Sequence, residues 1–277
     1  MKNNLEEKFL KNGYVILNNV IDKNLIKKSK SIIASSLNNH TNKKKLKNES
    51  LEKLFYDVRK KYSQHEVQVF LAKSLVNNNI IQNILLQDKV HIAISNLLGN
   101  DLEFATQFEL AINVKNVNDE YLVKKYHQEF WSGVGINTLL LWVPINLKNK
   151  MGTIEVIKES HKWGHIPHQN REPITLPADS KKIIVKADEG SLVLMSAFTI
   201  HKTVPNILSE PRIAIPLTVR NFYYPTTGNE DMWSFEKYNY SFYTKFRKIL
   251  GNPNFSPYRT FNSKRKDFFS KEKILGK

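Results

Sequence analysis

The stretch His127-Gln128-Glu129 sets an imidazole and a carboxylate one residue apart. On an extended strand alternate residues point the same way, so His127 and Glu129 share a face and Gln128 points opposite. Such a pair supplies two ligands to one metal ion. A third donor, His201, stands 74 residues downstream in "TIHKTV". Two histidines and one carboxylate on one face of an octahedron leave three positions open, the arrangement of non-haem Fe(II) oxygenases. Zinc accepts the same donors and, with water in the fourth place, makes a hydrolytic site. Arg212, eleven residues after His201, separates the two readings. A planar guanidinium holds a carboxylate by two charge-assisted bonds, and Thr203, on the strand face of His201, adds a hydroxyl. A 2-oxoacid that chelates the metal and reaches an arginine with a second carboxylate describes 2-oxoglutarate.

These residues need strands to carry them. From about 103 the chain alternates: Phe104, Thr106, Phe108, Leu110 and Ile112 on one face, Gln107, Glu109 and Asn113 on the other. That period of two predicts a strand. Further strands are expected at 121–129, 136–146, 152–158, 181–186, 190–196, 199–204 and 212–223, separated by turn sequences. About eight such strands predict a double-sheet jelly roll, and pairing of its first and last strands would bring His201 beside His127. Pro216 marks a bulge in the last strand, beyond which Arg220 is a candidate to steer an anionic substrate.

Ahead of the strands the texture is helical. A short helix is expected at 4–12 and a strand in "GYVILNNVI" at 13–21. Asp22 is placed to cap the next helix, and helices follow at about 51–61, 66–77 and 79–98, the last ending at Gly99. The fold class is thus mainly β with a helical N-terminal layer, α+β. One domain over 1–277 is the simplest account: a helical layer at 1–100, a jelly-roll core at 101–224 and an aromatic-rich C-terminal extension at 225–277. The front of that extension is expected to pack on the core and its end to fray.

The chain has no cysteine, which excludes disulfides, iron–sulfur clusters, zinc ribbons and thiol nucleophiles. No run of about 18 apolar residues is present, and charges interrupt the N-terminal stretch where a signal peptide is apolar. The expectation is a soluble cytoplasmic protein. The net charge is +16, from 42 basic and 26 acidic residues. It suits an anionic partner, whether nucleic acid, a membrane surface or a phosphorylated or carboxylated small molecule, of which the small molecule is favoured, or it reflects a lysine-rich composition. The lysine cluster at 41–50 lacks interleaved aromatics and reads as a solvated loop rather than a nucleic-acid platform.

Several segments in order resemble the phytanoyl-CoA dioxygenase family of Fe(II)/2-oxoglutarate-dependent oxygenases. They are "GYVIL" near the start, "HQE" at 127–129, "LLLWVPIN" at 139–146, "MGTIEVIKESHKWG" at 151–164, "DEGSLVLMSAFTIHKTVPN" at 188–206 and "PRIAIPLTVR" at 211–220. The resemblance implies a double-stranded β-helix and hydroxylation of a C–H bond with release of succinate and CO2. It implies Fe(II) on His127, Glu129 and His201, with O2 and 2-oxoglutarate as co-substrates. Arg212 and Thr203 would hold the far carboxylate, Trp142 would wall the pocket, and Gln128 is a further candidate for a co-substrate contact. The sequence departs from the family in three places. Glu129 stands where the family has aspartate, "KESHKWG" replaces a proline-glycine turn, and "DEG" replaces "GD". His161 and His165, flanking Trp163, are candidates for the substrate mouth.

Overall fold

The computed structural model describes residues 2–41, 49–106, 108–115, 123–223 and 235–249. Most of the lysine cluster at 41–50, the start of the segment expected as a strand at 121–129 and the end of the C-terminal extension lie outside the described residues. The helical layer comprises α1 (Lys2–Asn12), α2 (Lys23–His40), α3 (Leu51–Arg59), α4 (Gln64–Asn77), α5 (Ile80–Leu85) and α6 (Asp88–Leu98), with β1 (Tyr14–Leu17) between the first two. Asp22 caps α2 as expected, its Oδ1 accepting from Asn24 N at 2.7 Å and Leu25 N at 3.1 Å. The helix expected over 79–98 is two. Its first stripe is Ile80, Ile81, Ile84 and Leu85, its second Val90, Ala93, Ile94 and Leu98. A continuous helix would carry Asp88 onto the buried face; a break at Leu86–Gln87 puts the two stripes back in phase.

The strands are β2 (Leu102–Ala105), β3 (Ala111–Asn113), β4 (Thr138–Asn146), β5 (Ile154–Ile157), β6 (His168–Gln169), β7 (Glu172–Pro173), β8 (Lys182–Ile184), β9 (Leu192–Ser196), β10 (His201–Thr203), β11 (Arg212–Asn221) and β12 (Phe235–Asn239), followed by α7 (Phe242–Ile249). The large sheet runs β1-β9-β4-β11-β2-β12, with β3 also on β11, and the small sheet runs β10-β5-β8. The two antiparallel sheets form a double-stranded β-helix, without closing into one hydrogen-bonded barrel among the described residues.

β4 is buried along its whole length. Its odd-numbered Leu139, Leu141, Val143 and Ile145 pack with Ile33, Leu37, Phe55 and Ile94 of the helices. Its even-numbered Leu140 and Trp142 pack with Ile154 and Val156 of the small sheet. Each such side chain contributes about 1.5–3 kcal/mol by leaving water. The same strand therefore anchors the helical layer and walls the space between the sheets.

The strand expected from 103 is split. β2 and β3 both pair with β11, but their registers differ by two residues: Val219 faces Phe104, whereas Ala214 faces Ala111. Pro216 of β11 falls in the gap between them, where its missing N–H costs nothing on that edge. It marks no bulge on β4; the register shift there lies between Ile213 and Ala214. The segment leading to His127 is also not a strand over its described part. His127 makes an isolated bridge to His201, and Glu129 opens a 3-10 turn, Glu129–Ser132. A second 3-10 turn, Ser160–Trp163, takes the place of the family's tight turn. The hairpin β6–β7 was not expected; Asn170 and Arg171 at its tip both have positive φ, as a two-residue hairpin requires.

Candidate metal centre

His127 and His201 are joined through their backbones. His127 N donates to His201 O at 3.0 Å, and His201 N to His127 O at 3.1 Å. The ring centroids are 4.2 Å apart. Each ring is turned by its own chain: His127 Nδ1 lies 2.7 Å from Lys125 O and His201 Nδ1 lies 3.0 Å from Thr199 O. A carbonyl only accepts, so each Nδ1 carries a proton and each Nε2 is turned toward Glu129.

Glu129 Oε1 lies 3.2 Å from His127 Nε2 and 3.8 Å from His201 Nε2. Glu129 reaches this position from the first residue of a turn, not by the strand alternation expected of it. Ligand atoms of the three residues lie within 4.8 Å of one another. Burial pushes the His201 imidazolium down to about 3, with the His127 charge acting in the same direction. Burial pushes the Glu129 carboxyl up, but Lys124, the His127 hydrogen bond and the two imidazoles hold it well below the usual range. Two imidazole nitrogens and a carboxylate oxygen converging at these distances form a donor set that could hold a metal ion.

Arg212 is 2 % exposed. Its Nη1 donates to Thr153 O at 2.9 Å, its Nε is buried with no hydrogen-bond partner, and its guanidinium lies 5.6 Å over the Trp142 ring. Among the described residues it has no ion pair. Burial lowers its pKa to about 10, so it stays protonated at neutral pH. The small sheet links this cation to the triad. Thr203 pairs with Ile154, and Thr153 O also accepts from Val204 N at 3.1 Å. Along β10, His201 and Thr203 are roughly 7 Å apart on one face, and Arg212 lies beyond Thr203. Gly152 allows this closure: at φ +68°, a Cβ there would stand 2.4 Å from Val204 O.

The sequence matches a family described as Phytanoyl-CoA dioxygenase (PhyH) over residues 9–214. The chain belongs to this family. Membership in the PhyH family makes it an oxidoreductase with a dioxygenase-type role. The fold is shared with solved structures of low identity. A non-heme monooxygenase, ThoJ in its apo form, is 17 % identical over 86 % of this chain and 84 % of that one, with a TM-score of 0.59. The epimerase SnoN, in complex with Fe3+, alpha ketoglutarate and nogalamycin RO, is 16 % identical over 82 % and 87 %, with a TM-score of 0.53. AviO1 from Streptomyces viridochromogenes Tue57 is 13 % identical over 82 % and 98 %, also at 0.53. No curated protein sequence matches the chain.

Within this PhyH chain not every expected residue faces the centre. Gln128 is 1 % exposed and its amide braces backbone. Its Nε2 donates to Gly164 O and Phe198 O, both at 2.8 Å, and its Oε1 accepts from Ile166 N at 3.2 Å. The amide expected to touch a co-substrate instead ties the two loops beside the triad together. Arg220 is not an anion-steering group either: it forms a buried ion pair with Glu103 at 3.1 Å. His161 is tied to α1 through Leu10 O at 2.9 Å. His165 does lie near the triad, 5.4 Å from the Phe130 ring, which in turn is 4.6 Å from Phe198.

Asn113 was read only as part of a strand's polar face. It pairs in register with Arg212, is fully buried, and leaves its Oδ1 without a hydrogen bond. Its Nδ2 donates to Val204 O at 2.9 Å, and its place on the face opposite Ile112 was the available clue.

Proposed function

We propose that the protein is an Fe(II)- and 2-oxoglutarate-dependent dioxygenase that uses O2 to hydroxylate an unactivated C–H bond of a small anionic metabolite. The observation that carries this reading is Arg212, a buried cation with an unpaired Nε beyond the His127–Glu129–His201 cluster. A buried charge without a counter-ion is costly, and a ligand carboxylate relieves that cost. Two imidazoles and one carboxylate fit a first-row divalent ion with open positions. The Fe3+ and alpha ketoglutarate of SnoN support the same pair here.

When bound, Fe(II) with 2-oxoglutarate and O2 supplies oxidation of a C–H bond coupled to formation of succinate and CO2. The chain does the positioning. His127, His201 and Glu129 hold the ion, and the Lys125 and Thr199 carbonyls fix both rings. Arg212 and Thr203 hold the distal carboxylate over Trp142, with Asn113 beside them. Phe130, Phe198 and His165 exclude water from the mouth. Glu129 fills the position a halide would need, which favours hydroxylation over halogenation. The +16 charge favours an anionic substrate. We take the helical layer, the sheets and the C-terminal extension as one cytoplasmic unit.

The test is incubation with Fe(II), 2-oxoglutarate and air across carboxylated and phosphorylated metabolites. Succinate formed in proportion to a product with one added oxygen is expected. Succinate without oxygen incorporation would retain the co-substrates and overturn hydroxylation. No succinate, with ester hydrolysis in Zn(II), would replace the proposal with a hydrolase.

A further inference from the structure

Helix α7 is attached the wrong way round for a helix of a globular core. Its inward residue is polar: Thr244 is 1 % exposed and meets the Tyr223 hydroxyl and Ser241 Oγ. Its outward residues are apolar. Phe242 is 83 % exposed, Phe246 49 % and Ile249 82 %. At i, i+4 and i+7 they form one stripe, and the first two rings are 6.4 Å apart and nearly parallel. A helix ordinarily buries its apolar stripe; here the polar contact docks it and the stripe is presented.

Charge accompanies the stripe. Residues 242–277 hold ten basic and two acidic side chains, a net +8, which is half of the chain's +16. Five more aromatics, Phe255, Tyr258, Phe261, Phe268 and Phe269, are interleaved with them in sequence. Lys245 is exposed beside the stripe. No helix among the described residues is long and apolar enough to cross a membrane. An apolar helix face with Lys245 beside it and a basic stretch following it in sequence suits the plane of an anionic bilayer, where rings enter the interface and lysines stay with the headgroups.

We propose that α7 docks the protein on an anionic lipid surface, with Phe242, Phe246 and Ile249 entering the interface. The occupant is a bilayer rather than nucleic acid, because stacking on bases needs separated rings along a groove, whereas these crowd one helix face.

The test is co-sedimentation of the full chain with phosphatidylserine–phosphatidylcholine vesicles and with phosphatidylcholine alone. Binding to the anionic vesicles at least about tenfold stronger is expected, weakened by about 0.5 M NaCl. The triple variant F242S/F246S/I249S should lose that binding at unchanged helicity and metal content. Lys245→Glu, which leaves the stripe intact, should weaken it and so guards against misfolding of the triple variant. No sedimentation with anionic vesicles, or equal sedimentation of both variants, overturns the proposal. So does displacement from vesicles by an equimolar single-stranded oligonucleotide. A wild-type dimer that the triple variant converts to monomer overturns it in favour of a second copy of the chain.

Discussion

His127 and His201 each donate a backbone N–H to the other's carbonyl, at 3.0 and 3.1 Å, which makes residues 74 positions apart one antiparallel bridge. The bridge holds the two rings in register whatever the side chains are. His201→Ala should therefore keep the fold and lower Fe(II) affinity by more than about 100-fold, beyond the 10–100-fold that a supporting residue costs. Equilibrium dialysis with metal analysis reads this, and stoichiometric metal in the variant would remove the cluster from the mechanism.

Glu129→Gln changes one charged oxygen for an amide of the same shape. The amide nitrogen cannot ligate, and the amide oxygen is a weaker donor for a hard cation than a carboxylate. Circular dichroism should match the wild type while metal affinity falls at least about tenfold. Unchanged affinity would mean that the two histidines suffice.

Arg212 gives opposite expectations for ligand and fold. Arg212→Met should weaken 2-oxoglutarate binding at least about 30-fold, since losing one partner of a buried charge pair costs about 2–5 kcal/mol. Without 2-oxoglutarate the same change removes a buried, unpaired cation and should stabilise by about 1–4 kcal/mol. Thr153 O keeps Val204 N as a donor, so no carbonyl is orphaned. Urea denaturation with and without 2-oxoglutarate checks both halves; destabilisation without it would show that the cation serves the fold.

Gln128→Ala removes three buried hydrogen bonds to the backbone of Gly164, Ile166 and Phe198. At about 1–3 kcal/mol for each group left unsatisfied, the loss should be about 3 kcal/mol or more in urea denaturation. A loss under about 1 kcal/mol would mean that water replaces the amide.

Gly152→Ala places a Cβ 2.4 Å from Val204 O and 2.5 Å from Pro205 O at a positive φ. Backbone cannot yield as a side-chain tip can, so a loss above about 4 kcal/mol is expected. Soluble yield and melting temperature measure it; near-wild-type stability would place the loop differently.

What the sequence revealed depended on how local its cause was. The Asp22 cap acts on N–H groups two and three residues away, and side-chain type alone announces it. His127, Glu129, His201 and Arg212 were legible because few roles need those types in that order. The path by which Glu129 reaches the centre was not, because alternation and a 3-10 turn both set residues 127 and 129 near one another. Gln128 and Asn113 were underread for a shared reason: a polar side chain in a buried sheet region declares itself only when its partners, 36 to 99 residues away, are in place. The break between α5 and α6 was written in the phase of their stripes, which only the packed face makes visible.

β4 presents Leu140 and Trp142 to one layer and Leu139, Leu141 and Val143 to the other. Both layers read the same strand with opposite parity. Inserting or deleting a single residue ahead of Trp142 would exchange its faces, bringing the indole against the helices and an aliphatic chain beneath Arg212. Substitutions there can be absorbed one at a time, but a change of length cannot. The β6–β7 hairpin answers to one contact surface instead of two: Arg171 at its tip donates to Ser132 Oγ at 3.2 Å and His168 stacks on Trp131.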